Sequence, residues 1–201
     1  GQRVLVDVKH MSELARKEFY AYRNTMHPAV PIIYSHGACQ KYYKFEINLS
    51  ENDIVEIAKS NGIIGLEIDQ RILGYNEAGN RFKKWVKNIF KKDSKQKLGW
   101  AEVYWANLLC IAETCYLAGF KDDPWKFISI GSDFDGVINP LNEFRTIDKL
   151  DDLINSLQEH LRNYWQGPSP VIPANCGGAP SDVMYNVGYK NLICFTDAYF
   201  R

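Results

Sequence analysis

Four short, β-branched apolar runs, separated by helical patterns, constrain the fold of this chain more than any other feature. The runs are Val4–Val8, Val30–Ser35, Gly62–Ile68 and Phe127–Ser132. They are nearly continuous rather than alternating, the pattern of parallel strands covered on both faces. Between the first two, Met11, Ala15, Phe19 and Tyr22 recur at helical spacing, and Pro28 stops the pattern. Between the second and third, Ser50 with Asp53 reads as a helix start. Ile54, Ile57 and Ala58 form the inner stripe of that helix and Gly62 ends it. The third connection is longer and holds the basic stretch "RFKKWVKNIFKK", followed by a helix from about Ala101 to Gly119. After the fourth run, Ile147, Leu150, Ile154, Leu157 and Leu161 mark another amphipathic helix. "GPSPVIP" is a loop, and the last twenty residues read as helical.

Four βα units in a row predict an α/β fold with a parallel sheet and right-handed crossovers. Two architectures fit: a doubly wound open sheet, or half of an eight-stranded (β/α) barrel. Both place their chemistry at the carboxyl ends of the strands. A length of 201 residues suits a single domain.

The strand ends carry the candidate chemistry. "VLVDVKH" and "PIIYSHG" leave two apolar runs on His10 and His36. Neutral imidazoles on adjacent strands are natural ligands for one metal ion. Taken singly, a strand-end histidine is more often a hydrogen-bonded structural residue. The fourth run ends in "ISIGSDFDG", where Asp133 and Asp135 flank an aromatic residue and Gly136 permits a tight turn. A calcium loop would need oxygen ligands at further alternate positions, which Val137 and Asn139 continue poorly. A phosphatase of the haloacid dehalogenase type would use Asp133 as nucleophile. A metal hydrolase would use it as general base, and a plain Asx turn would use it for neither. His27 and His160 read as solvated residues of a loop and a helix face.

Charge narrows the partners. The 24 basic and 24 acidic residues cancel, so no global field argues for nucleic acid or a membrane surface. No apolar run approaches the roughly 18 residues of a membrane span. No signal peptide is visible, because the chain opens directly on a strand. The basic stretch from Arg81 to Lys97 holds eight Lys or Arg against one acid, with Phe82, Trp85, Val86, Ile89 and Phe90 as an apolar stripe. It reads as a surface helix docked by that stripe, with an anionic partner or a membrane surface as the alternative. The five cysteines lack CxxC spacing and read as small buried hydrophobes.

"VLVDVKHMS", "PIIYSHG" and "IGSDFDG", in this order on successive strands, resemble the renal or membrane dipeptidase family of the amidohydrolase superfamily. "INLSEND" resembles the helix-opening segment that follows the family's second histidine. The resemblance covers about residues 1 to 165. It implies a (β/α)8 barrel of the TIM type with a binuclear zinc centre. It also implies hydrolysis of an amide or peptide bond of a small substrate through metal-activated water. By resemblance, His10 and His36 hold the second metal, Asp133 is the catalytic aspartate, and Asp135 supports the turn or the groups around the ligands.

Two departures are visible. The family's His-x-Asp on its first strand and its bridging glutamate are not in this chain, and Glu67 lies on the wrong strand for the bridge. Residues 1–201 are therefore expected to be a single domain holding strands five to eight, with the amino-terminal half of the barrel outside them and a fragment inactive by itself. The family's arginine before "N-[LV]-x-[DE]", which pairs with the substrate carboxylate, is replaced by Ile47. Nearby Lys41 and Lys44 are not equivalent to a bidentate guanidinium. The competing readings are the phosphatase and a non-catalytic binding domain derived from the barrel. A homo-oligomer is compatible with all three.

Overall fold

Residues 4–75 and 99–200 are described in the computed structural model of the chain. Strand β1 is Val6–Asp7, β2 is Ile32–Gly37, β3 is Ile63–Leu66 and β4 is Ile128–Ile130. They form one parallel sheet in the order β1-β2-β3-β4. Helix α1 (Glu13–Met26) connects β1 to β2, and α2 (Glu51–Lys59) connects β2 to β3. Helix α3 (Trp100–Leu117) precedes β4. Beyond it come α4 (Leu150–Trp165), α5 (Pro180–Tyr185), a π-helical turn (Asn186–Lys190) and α6 (Asn191–Phe200). The doubly wound alternative requires the strand order to reverse, and this order does not. The arrangement is that of part of a (β/α)8 barrel. The basic stretch 81–97 lies outside the described residues.

Local chemistry explains the helix ends. Ser50 Oγ accepts from Asp53 N at 3.2 Å while Ser50 N donates to Asp53 Oδ2 at 2.8 Å, a complete capping box. The first turn of α3 closes against Glu102, whose Oε2 accepts from Gly99 N at 2.7 Å. Helix α3 is buried nearly all round, from Val103 to Ala112 and again at Cys115. It forms the central rod between sheet and outer helices.

Helix α1 departs from its predicted face. Its buried residues are Arg16, Tyr20 and Arg23, whereas Tyr22 is exposed and Phe19 is only partly covered. Arg16 donates from Nε and Nη2 to the two oxygens of Asp53 at 3.0 and 3.1 Å, and also to the carbonyls of Met11, Glu46 and Asn48. Arg23 donates to the carbonyls of Val30 and Pro28. A fully satisfied guanidinium can take a core position, which apolar periodicity does not register. His160 is likewise half-buried, its ring 6.1 Å from that of Trp105, while His27 is exposed. In α4 the innermost residues are Leu153, Leu157 and Leu161, and Ile147 is exposed. All five thiols are free; Cys39, Cys110 and Cys115 are buried, Cys176 is half-buried and Cys194 is exposed.

The strand backbones approach one another closely at two glycines. A Cβ on Gly65 would lie 2.0 Å from Ser35 O, and one on Gly131 would lie 2.2 Å from the same oxygen. Three neighbouring strands thus curl together by backbone contact, which only glycine permits. At the opposite end, α6 crosses the amino ends of the strands. Asn191 Nδ2 donates to Trp125 O and Ile128 O at 3.0 and 2.8 Å, and Tyr199 Oη donates to Val4 O at 3.2 Å.

Candidate metal centre at the carboxyl ends of the strands

The end of β2 is irregular in a way that aims His36. Tyr34 pairs with Ile64 and Gly37 with Leu66, so three steps along β2 match two along β3. The extra residue makes a bulge at Ser35 and His36, a device that redirects a side chain at a strand end. Ser35 Oγ lies 2.8 Å from His36 Nδ1. That contact occupies Nδ1 and leaves Nε2 as the outward end of the ring, 3.8 Å from Asp133 Oδ2.

His10 leaves β1 beside it. The two imidazole centroids are 5.3 Å apart with their planes at 63°. Asp7 fixes the relation between the two strand ends. Its Oδ1 accepts from Lys9 N at 3.0 Å and from Ser35 N at 3.1 Å, joining the residue before His10 to the bulge.

Asp133 follows β4 with φ at +51°, a left-handed conformation that an aspartate adopts at some cost. The backbone N–H groups of Gly136 and Val137 close the loop on Asp133 O at 2.8 and 2.6 Å. A Cβ on Gly136 would come within 2.9 Å of both Asp133 carboxylate oxygens, so glycine leaves room for that carboxylate. Asp135 is exposed, and those turn-closing bonds do not involve its carboxylate. The β3 and β4 loops are also tied together. Asn139 N donates to Asp69 Oδ2 at 3.1 Å, and Gln70 Nε2 donates to Pro140 O at 2.7 Å.

Beneath the rim lies a pair that sequence reading did not place in the site. Lys9 Nζ and Glu67 Oε2 stand 3.6 Å apart, both nearly fully buried. Burial pushes the Glu67 carboxyl up to about 7 against the opposing pull of Lys9. Burial also lowers the Lys9 ammonium, although Glu67, Asp133 and Asp7 oppose that shift. The pKa of His36 is lowered first by burial and then by the nearby Lys9 charge, which favours the neutral, metal-binding imidazole. The signal for this pair was in the sequence: each is an ionisable residue at the end of an otherwise apolar run.

His10, His36 and Asp133 thus meet at one rim. Ile47 is half-buried, and its carbonyl accepts from Tyr34 Oη at 2.6 Å; Lys41 and Lys44 are exposed. The two imidazoles fit a metal as two of its donors, since one ring has its far nitrogen engaged and its near nitrogen directed outward. Among the described residues no three His, Cys, Asp or Glu side chains are placed to hold one ion together.

The fold is shared with known structures. The fold is similar to a dipeptidase described as a metallopeptidase of family M19, at 16% identity and TM-score 0.63, covering 96% of this chain and 44% of that one. It is similar to a metallopeptidase from Rhodobacter sphaeroides, solved with a phosphinate mimic of the dipeptide L-Ala-D-Ala, at 15% identity and TM-score 0.61, covering 96% and 42%. An amidohydrolase from Pseudomonas aeruginosa matches at 16% identity and TM-score 0.59, covering 98% and 53%. The chain therefore spans about half the length of these structures. A search of curated proteins found no match. The family described as membrane dipeptidase, peptidase family M19, matches residues 2–166. A match over most of the chain, on a fold of the same kind, means that this chain belongs to the membrane dipeptidase family, peptidase family M19.

Proposed function

We propose that this chain is the carboxyl-terminal half of a (β/α)8 barrel whose complete form is a zinc-dependent hydrolase of small amide or peptide substrates. The observation that carries this reading is that His10 and His36 leave neighbouring parallel strands side by side, with Asp133 at the end of β4 within 3.8 Å of His36. A bound divalent cation would polarise the scissile carbonyl and make water a nucleophile at neutral pH. His10 and His36 would supply imidazole donors to it. Asp133 would take a proton from the attacking water and return it to the leaving amine. Asp135 would support the turn that presents Asp133. The remaining ligands of a binuclear centre would come from the complementary half, so the fragment alone would be inactive.

Ile47 bears on the substrate. Without a guanidinium at that position, and with Lys41 and Lys44 exposed, simple dipeptides with a free carboxylate would be poor substrates. Amides lacking that group would be better ones.

The test is metal content and turnover of the complete protein beside His10→Ala, His36→Ala and Asp133→Asn. Stoichiometric zinc that falls in both histidine variants supports the reading. Asp133→Asn should lower turnover by about 10²- to 10⁴-fold with metal content nearly unchanged. A wild-type protein without metal would sink the hydrolase. Magnesium dependence with a trapped aspartyl-phosphate at Asp133 would favour the phosphatase instead.

A further inference from the structure

Lys9 and Glu67 reach toward each other across the end of β2 from the strands on either side of it. Lys9 directly precedes His10 on β1, and Glu67 directly follows β3, where its N–H donates to Gly37 O at 2.9 Å. Between them passes the bulged end of β2 that carries His36. The Lys9 ammonium also lies 5.4 Å from the centre of the Tyr34 ring, on that same strand. Side-chain exposure is 2% for Lys9 and 6% for Glu67. The 3.6 Å separation exceeds a hydrogen bond, and neither Lys9 Nζ nor Glu67 Oε2 has any other hydrogen-bond partner.

Such a pair is a poor stabiliser. Two ionisable groups are withdrawn from water, their contact is long, and no hydrogen bond completes either Lys9 Nζ or Glu67 Oε2. Replacing buried pairs of this kind by packed apolar side chains is often neutral or stabilising. The Arg16–Asp53 pair of the same molecule shows the contrast, with a bidentate contact and further partners on both sides. A costly, incompletely bonded pair next to two neighbouring imidazoles calls for a role in the site.

We infer that Lys9 and Glu67 position His10 and His36, stitching β1 to β3 across the bulge so that the two imidazoles are held convergent for a metal ion. The inference rests on the hydrolase reading, because it assumes that the histidines bind metal. Neither residue touches substrate or metal; both act through the strand ends. Groups that orient metal ligands commonly change affinity by about 10- to 100-fold when removed, and that is the size of effect expected here.

The experiment uses the complete protein and reads metal affinity by chelator competition, the visible spectrum of the cobalt(II) form, and thermal melting. Lys9→Met/Glu67→Leu should melt near the wild type, bind zinc or cobalt about 10- to 100-fold more weakly, and show an altered cobalt spectrum. Should that variant fail to fold, the charge-reversed Lys9→Glu/Glu67→Lys is read in its place, with the same expected loss of affinity and the same spectral change. Wild-type affinity together with a wild-type spectrum in the folded variant would overturn the inference while leaving the hydrolase standing. Absence of metal from the wild-type protein itself would instead remove the hydrolase reading, and this inference with it.

Discussion

Glu67 holds its proton to about pH 7 in the fold, against an ordinary value of 4.5. Between those values the folded chain binds more protons than the unfolded one, so stability falls as pH rises. The contribution is fully present below about pH 4.5 and is lost as pH passes through about 7. Lys9 acts in the opposite sense. Its lowered value means that its contribution is present at alkaline pH and is lost as pH falls. Denaturant unfolding of the metal-free complete protein at several pH values, beside Glu67→Gln, should show a shallower slope between pH 4.5 and 7 in the variant. Superimposable slopes would mean that Glu67 titrates as an ordinary carboxylate. The apolar run "GIIGLEID" shows that an acid stands at this strand end. It does not show that Lys9 faces that acid, because their meeting depends on the curl of three strands.

The best-bonded polar contact among the described elements joins α1 to α2. Asp53 caps its own helix through Ser50 and accepts from Arg16 and from Tyr20 Oη at 3.0 Å. Arg16 extends the tie to the carbonyls of Glu46 and Asn48, which lie on either side of Ile47. Asp53→Ala would leave a buried guanidinium without its carboxylate and remove the cap. A loss on the order of 3–5 kcal/mol is expected, read as a lower urea midpoint. Arg16→Met/Asp53→Leu should lose less, because no lone charge remains. Equal losses would assign the whole effect to packing. The capping box could be read from "SEND", since it involves four consecutive residues. Arg16 could not, since apart from Met11 its partners lie 30 to 37 residues away.

Four parallel strands cannot close a barrel, so β1 and β4 each end the sheet with one neighbour among the described strands. Apolar surface remains open nearby: Val4 is 75% exposed, and Leu192, Ile193 and Phe200 of α6 are also exposed. Residues 1–201 expressed alone should therefore self-associate in sedimentation, bind a hydrophobic dye, and take up zinc below one equivalent. A monomer with one tightly held zinc would show that this half is self-sufficient.

The amino-acid sequence by itself determined the succession of strands and helices, the caps, and the residues that stand where strands end. Those features depend on periodicity and on neighbours within a few residues, and so they can be read along a line. His10, His36 and Asp133 belong to this class, because a strand's exit is a local event. What only the tertiary structure decided is how those exits meet. The bulge that turns His36, the glycine contacts that let β2, β3 and β4 curl together, and the burial of Lys9, Glu67, Arg16 and Asp53 all arise between residues distant in sequence. Lys9, Glu67 and Arg16 lie inside with partners that arrive from distant parts of the chain, and that arrival has no local signature.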